Sequence, residues 1–294
     1  MNTFSIRDIE NLCGIKAHTL RVWEKRYQFL RPKRKAGNHR LYDDEDLKYL
    51  LRIAFLYHHG HKPSVLARLT DAALVQLIVK VPTTPTSHEI FINRLLEASL
   101  DYDHENFDRT LHHIILHMGF EKAISQVVFP FLSRIGLLWL SGHLVPAQEH
   151  FVSAIITQKL LIAIDELDSP SPNPPAGRHL LLFTPRGEFH EIPLLYMRYL
   201  MKKNGQPVTY FGHNIGIDEL RQYCAAKPVS HLYFHLVTNL TRSKPEQYVR
   251  KLLEIFPDKT LVISGSLGDS LHGRFPNLRV LKDLTDMEAF ARGG

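Results

Sequence analysis

The residue with the clearest chemical potential is His190, in the run Phe183-Thr-Pro-Arg-Gly-Glu-Phe-His-Glu-Ile-Pro193. A neutral imidazole is the commonest side-chain metal ligand. Glu149 and His150 are adjacent and follow Trp139 after nine intervening residues. His113 and His117 stand four apart, so on a helix they would share a face and could share a metal. No carboxylate or third ligand accompanies them, and they are read as a solvated face. His58, His59 and His61 read as a helix end and a polar loop. Cys13 and Cys224 are the only cysteines, which excludes a disulfide framework and a cysteine-based zinc site. Between Arg21 and Arg40 eight basic residues stand against one acidic residue, Glu24. Such a cluster suits a phosphate backbone.

His190 needs a platform. The apolar run Leu180–Phe183 reads as a buried parallel strand, and Leu194–Lys203 reads as a helix. Pro185 and Gly187 break the strand, while Pro193 fits the first turn of the helix. His190 is thereby expected on a loop at the carboxyl end of a strand, where open α/β sheets bind ligands. Further strands are expected over His179–Thr184, Pro207–Gly212, Leu232–Val237, Leu261–Ser264 and Arg279–Leu281. Helices are expected near Ile217–Ala226, Pro245–Ile255 and Asp283–Ala291. This alternation predicts a flavodoxin-like doubly wound parallel sheet over residues 178–294.

Glu149 and His150 need a helix start beside a helix end. Residues 88–168 give four helical stretches, near His88–Leu100, His104–Met118, Phe120–Leu140 and Pro146–Leu167. Apolar residues recur at helical spacing in each, as in Phe107, Leu111, Ile114 and Ile115. Short joints predict a four-helix bundle. Gly142 and Pro146 break the chain so that Trp139 ends one helix and Glu149/His150 open the next. The polar, proline-bearing stretches 81–87 and 168–177 read as linkers, with Ser87 capping the first bundle helix.

The basic cluster sits in residues 1–80. Ser5 or Thr3 can cap a helix over Ile6–Leu12, Gly14 stops it, and Lys16–Tyr27 forms a second helix. Leu30–Tyr42 reads as a hairpin wing turning at Ala36-Gly37-Asn38. Asp43 or Asp44 caps a third helix through His58, and a fourth begins at Pro63. Residues 1–60 hold 12 Lys/Arg and 7 Asp/Glu, most of the surplus of a chain whose net charge is +6. At 44% hydrophobic and 22% charged, the 294 residues form an ordinary globular composition. The start does not read as a signal peptide, and no apolar stretch approaches a membrane span. A reducing, cytoplasmic location is expected. The fold class is multidomain α + α/β, with winged helix-turn-helix, bundle and sheet in that order.

The run His18-Thr-Leu-Arg-Val-Trp-Glu-Lys-Arg-Tyr27, then Asn38-His-Arg-Leu-Tyr42 and Asp43-Asp-Glu-Asp-Leu47, resembles the winged helix-turn-helix of the MerR family. The resemblance implies that the second helix enters the major groove of double-stranded DNA, with Lys16, His18, Thr19 and Arg21 near its amino end. Trp23, Arg26, Arg40 and Tyr42 would clamp phosphates. It also implies self-association, as a dimer or tetramer, on a palindromic operator.

Trp139, Glu149 and His150 resemble the Trp-x9-Glu-His signature of the CarH/LitR group, cobalamin-dependent light-sensing MerR-type repressors. There the three residues pack around the upper axial group of adenosylcobalamin. Glu188-Phe-His190-Glu-Ile-Pro193 is similar to the Asp/Glu-x-His-x-x-Gly motif of cobalamin-binding domains. In that group the histidine ligates cobalt from below and the acid bonds its other ring nitrogen. The chain departs from the pattern at three places. Pro193 replaces glycine, His235-Leu-Val-Thr238 stands for a serine-containing motif, and Gly265-Ser266 stands for Gly-Gly. Thr238 and Gly265 would line the pocket for the cofactor's displaced tail. Leu140 follows Trp139 where some light sensors have a histidine, so a bis-histidine light-adapted state is not expected.

The resemblance implies a repressor holding adenosylcobalamin between bundle and sheet, with light releasing it from DNA. Two other classes stay open: a regulator with a degenerate, cobalamin-independent sensor acting through protein contacts, and a corrinoid-dependent methyl-transfer module.

Overall fold

The computed structural model describes residues 4–27, 33–35, 39–58, 60–80, 88–140, 145–167, 178–237, 245–265, 271 and 275–293. The chain divides into two compact units, residues 1–155 and 156–294. Among the described residues, no helix is long and apolar enough to cross a membrane.

The first unit opens with α1 (Ile6–Cys13). Ser5 caps it in a reciprocal box: the Asp8 amide donates to the Ser5 hydroxyl, and the Ser5 amide donates to the Asp8 carboxylate. Gly14 ends α1 in the left-handed conformation, φ 68°, which glycine adopts without a Cβ penalty. Then follow α2 (Ala17–Tyr27) and the antiparallel strands β1 (Lys33–Lys35) and β2 (His39–Leu41). The predicted wing is therefore present; its turn at residues 36–38 lies outside the described residues. Phe4 and Tyr42 exchange two backbone bonds, of 2.7 and 2.9 Å, and so tie the start of the chain to the wing. Asp43 caps α3 (Asp44–His58) by accepting the Asp46 amide. The helix expected from Pro63 is in fact two, α4 (Pro63–Leu66) and α5 (Asp71–Lys80). Thr70 divides them, its hydroxyl accepting the Ala73 amide as a fresh cap. Phe4, Ile9, Leu20, Trp23, Leu47 and Leu51 fill the small core.

The bundle helices are α6 (His88–Leu100), α7 (His104–Met118), α8 (Phe120–Ala123), α9 (Phe129–Leu140) and α10 (Pro146–Asp165). One helix was expected over Phe120–Leu140, but a π-helical turn at Ile124–Val128 interrupts it, with the Phe129 amide reaching back to the Ile124 carbonyl. Pro130 follows directly; it has no N–H for the carbonyl four residues back and its ring crowds that position. The ends of Ser87's linker and of residues 168–177 fall outside the described residues. Leu95, Phe107, Leu111, Ile114 and Phe131 are buried in the bundle, with Phe107 and Phe131 edge-on at 5.5 Å.

Ion pairs fasten α3 to α6. The Arg52 guanidinium donates to both Glu97 oxygens, at 3.2 and 2.8 Å, and to Asp71 at 2.6 Å. Lys48 donates to Glu45 at 3.0 Å and to Asp101. The Lys48 and Arg52 side chains are only 7% and 16% exposed. Burial pulls against the Arg52 charge, but the bonds to Glu97 and Asp71 outweigh it and hold its pKa above the ordinary value.

The second unit contains the end of α10, then β3 (Leu180–Pro185), α11 (Ile192–Lys203), β4 (Val208–Ile215), α12 (Ile217–Ala226), β5 (His231–His235), α13 (Pro245–Ile255), β6 (Thr260–Ser264), β7 (Leu278–Leu281) and α14 (Leu284–Ala291). The strands are parallel in the order β4-β3-β5-β6-β7. That is the 2-1-3-4-5 order of the flavodoxin class, as the alternation predicted. Leu181, Phe183, Leu232, Phe234, Leu261 and Ile263 face one core with Leu220 of α12 and Val249 and Leu252 of α13. α11 and α14 pack together and against strands β3, β4, β5 and β7. The strand expected over Pro207–Gly212 runs on to Ile215. Its register slips opposite Leu182–Pro185, and Gly212 and Asn214 take left-handed φ of 82° and 62°.

Replacing Arg52 with Met leaves the Glu97 and Asp71 charges without a partner. The expected loss is about 2 kcal/mol, below the ~3–5 kcal/mol of a fully buried pair because the site is partly exposed. Urea unfolding of the first unit checks this; an unchanged midpoint would show that the network does not hold α3 to α6.

Candidate functional site

The histidine loop is built by its neighbours. After β3 the chain turns tightly, with the Glu188 amide donating to the Pro185 carbonyl at 2.9 Å and Gly187 at φ 90°. Thr184, fully buried, donates its hydroxyl to the Glu188 carbonyl at 2.6 Å and accepts the Asn214 amide at 3.1 Å. The Gly187 amide donates to Asn214 Oδ1 at 2.9 Å. These bonds set Glu188 with its side chain 0% exposed.

One Glu188 oxygen, Oε1, accepts the His190 amide at 3.1 Å and lies 2.5 Å from His190 Nδ1. The other, Oε2, accepts the Val237 amide at 2.9 Å. An ionised carboxylate only accepts, so Nδ1 carries a proton. The His190 side chain is 49% exposed. It is a carboxylate-oriented imidazole at the carboxyl end of β3, beside β5. Pro193 occupies the first turn of α11, where a missing N–H breaks no helical bond.

Polar groups line the same end of the sheet. His235 closes β5, with Nδ1 2.8 Å from the Ser264 hydroxyl, which lies 2.5 Å from the Tyr233 hydroxyl. Burial pushes the His235 pKa down to about 4, against the attraction of Glu188, so the ring is neutral at pH 7. Gly265 stands at φ 99°, and a Cβ there would collide with the Leu236 carbonyl oxygen. Glycine is therefore required where the loops after β5 and β6 meet. Thr238 and Ser266 lie outside the described residues. On the other flank, Glu191 accepts from Tyr210 and lies 3.1 Å from His213 Nδ1. Phe189, 63% exposed, has its ring 5.8 Å from that of His213. The sequence reading missed Val237, Asn214, Glu191 and His213. Alternating polar residues in the buried strands, Tyr233 and His235 beside Ser264, were the available signal for that face.

In the first unit, Trp139 lies in the last turn of α9; its side chain is outside the described set. Glu149 is in the first turn of α10, accepts the Ser153 hydroxyl at 2.6 Å, and lies 3.3 Å from His150 Nδ1. The His150 side chain is 79% exposed. His113 and His117 pair on the exposed face of α7. Among the described residues no group of three or more His, Cys, Asp or Glu is placed to hold a metal.

In the reader, His18, Arg21 and Arg26 are exposed on α2, and Thr19 is half-buried. Lys16 pairs with Glu10 at 3.2 Å. Arg40 Nε bonds Glu24 at 2.5 Å, and a depression beside it is lined by Arg21, Val22 and Lys25. Two expectations are corrected. Trp23 is buried edge-on to Tyr57 at 4.8 Å, and Tyr42 is 1% exposed with its hydroxyl buried and unbonded. Both rings fill the core, because a domain this small has few other large side chains to bury.

Residues 4–73 match the family model of the MerR HTH family regulatory protein, and residues 91–163 match that of the B12 binding domain. Fold and matches together define a class, a DNA-reading winged helix-turn-helix followed by a cobalamin-type sensor module. The chain is 31% identical over 229 residues to the HTH-type transcriptional repressor CarA of Myxococcus xanthus, covering 76% of this chain and 72% of that protein. It is 28% identical over 236 residues to the HTH-type transcriptional repressor CarH of the same organism, covering 77% and 76%. This chain belongs to the family of MerR-type repressors that CarA and CarH represent. A Methanosarcina barkeri monomethylamine corrinoid protein shares the fold, with a TM-score of 0.57 over 70% of this chain and 99% of its own, at 11% identity.

His235 makes a pH prediction. Its folded pKa lies below the ordinary value of 6.5, so between about 6.5 and 4 the unfolded chain binds the extra proton. Stability of the second unit falls as pH drops through that window, by up to ~1.4 kcal/mol per pH unit from this group. His235→Asn should flatten the slope measured by denaturant unfolding. The residual slope belongs to His179 and His231, whose pKa values are also lowered, chiefly by burial.

Proposed function

We propose that the chain is a transcriptional repressor that reads operator DNA through residues 1–80 and answers to a corrinoid through residues 88–168 and 178–294. The observation that carries the reading is the Glu188–His190 pair. A buried acid bonds Nδ1 of a half-exposed imidazole, the arrangement by which a carboxylate orients a metal-binding histidine. His190 would hold the metal, and Gly265 and Thr238 would border the tail of the cofactor. Trp139, Glu149 and His150 would meet its upper group. When bound, adenosylcobalamin supplies a cobalt–carbon bond that light breaks. The protein's own part is to hold the imidazole aimed, and to transmit occupancy to the residues that read DNA. Ligand bound to one state only shifts the population toward that state, and operator affinity follows by linkage.

On DNA, Lys16, His18, Thr19 and Arg21 would face the major groove, with Arg26 and Arg40 on phosphates. Trp23 and Tyr42 support this surface from beneath. Self-association on a palindrome, a cytoplasmic place of action and a role in regulation instead of catalysis complete the proposal.

Protein mixed with adenosylcobalamin in darkness is expected to bind it and give the absorption spectrum of histidine-ligated cobalamin. His190→Ala should shift that spectrum to the base-off form and weaken binding about 10–100-fold. A wild-type protein that stays colourless would reject the cofactor reading. Illuminating the loaded protein should change its elution volume on gel filtration; a constant volume removes light as the trigger.

Operator binding supplies a separate check. Arg26→Ala should reduce the slope of log affinity against log salt by about 0.9, the loss of one phosphate contact. An unchanged slope takes Arg26 out of the interface.

A further inference from the structure

The bulged end of β4 grips the histidine loop on both sides. Before His190, Asn214 Oδ1 accepts the Gly187 amide at 2.9 Å, and the Asn214 amide donates to Thr184 Oγ1 at 3.1 Å. That hydroxyl in turn donates to the Glu188 carbonyl. After His190, Glu191 accepts from Tyr210 and bonds His213. Asn214 achieves this only through its left-handed backbone, φ 62°. Asparagine tolerates that conformation better than other residues with a Cβ. The register slip in β4 sets Asn214 just before Ile215, the partner of Pro185, and so beside Thr184 and the start of the turn.

We propose that Asn214 is a positioning residue for His190. It acts through the Pro185–Glu188 turn, fixing where the Glu188 carboxylate sits and hence which tautomer and direction the imidazole takes. In its relevance to cobalt this rests on the corrinoid reading; in its effect on the imidazole it does not. A residue far from the histidine in sequence, on an edge strand, thus becomes part of the site. The physical cause is the stiffness of a short turn. Glu188 reaches His190 Nδ1 and the Val237 amide together only if its backbone is held, and Asn214 and Thr184 supply the two side-chain bonds that hold it.

Three variants separate backbone from side chain. Asn214→Gly keeps the left-handed conformation and removes the acceptor. Asn214→Asp keeps both an acceptor and tolerance of that conformation. Thr184→Val removes the hydroxyl at nearly constant volume. In the apoprotein, long-range proton–nitrogen NMR of the imidazoles is expected to show His190 as a single Nδ1–H tautomer. Asn214→Gly and Thr184→Val should give a tautomer mixture, and Asn214→Asp should restore the single form. With adenosylcobalamin in darkness, Asn214→Gly should bind about 10-fold more weakly, with part of the spectrum base-off, and Asp should rescue both.

A single wild-type tautomer and wild-type cobalamin affinity in Asn214→Gly would overturn the proposal. The NMR result holding while the wild type ignores cobalamin would remove the corrinoid reading and leave the positioning role intact. Circular dichroism and urea midpoints of each variant exclude simple unfolding as the cause.

Discussion

A carboxylate with no solvent contact governs the sensor half of this chain. Removing an ionised acid from water costs several kcal/mol unless donors replace the lost hydration. Among the described residues Glu188 accepts from the His190 amide, His190 Nδ1 and the Val237 amide. Two come from its own loop and one from the loop after β5, so the acid is satisfied only where two adjacent strands end together. Parallel pairing of β3 with β5, in register from Leu180–His231 to Phe183–Phe234, guarantees that meeting. The sheet order is thus not a neutral scaffold. It places the crevice, the acid and the histidine at one point.

The same constraint explains the unequal faces of the sheet. One face is mainly apolar, with Leu181, Phe183, Leu232, Phe234 and Leu261 against α12 and α13. The other carries Tyr233, His235 and Ser264 in a bonded chain near the carboxyl end. Each member is buried, so each needs a partner; the chain is self-satisfying and keeps His235 neutral beside Glu188. Gly265 belongs to this arrangement. It lets the loop after β6 approach the Leu236 carbonyl, where any Cβ would intrude.

Much of this was legible in the chain. Continuous apolar runs separated by helical patterns pointed to the doubly wound class, His190 stood out as a loop histidine after a buried strand, and Glu188 came from the resemblance to the Asp/Glu-x-His-x-x-Gly motif. Three kinds of feature were not. Val237 contributes through its backbone amide, which no side-chain pattern announces. Asn214 enters through a register slip, and Pro207–Gly212 alone gives no sign that β4 continues three residues further, to Ile215, with left-handed backbone at Gly212 and Asn214. Tyr42 and Trp23 show the third kind. An aromatic residue beside a basic cluster suits a phosphate or a core equally well in sequence, and only burial decides. The break after Leu66 belongs with them: Thr70 is an unremarkable residue until its hydroxyl caps a new helix.

In the first unit the reader and the bundle are not merely adjacent. Arg52 on α3 holds Glu97 on α6 in a pair largely shielded from water, and Lys48 holds the more exposed Asp101 just past the end of α6. Sliding α3 against α6 by even one helical turn would strand buried charges. The cost, about 2 kcal/mol for the partly exposed Arg52 pairs, is comparable with the ~1–3 kcal/mol by which effectors commonly couple two sites. The pair therefore favours movement of α3 and α6 together, and α2, which packs in the same small core as α3 with Trp23 edge-on to Tyr57, would follow as part of one body.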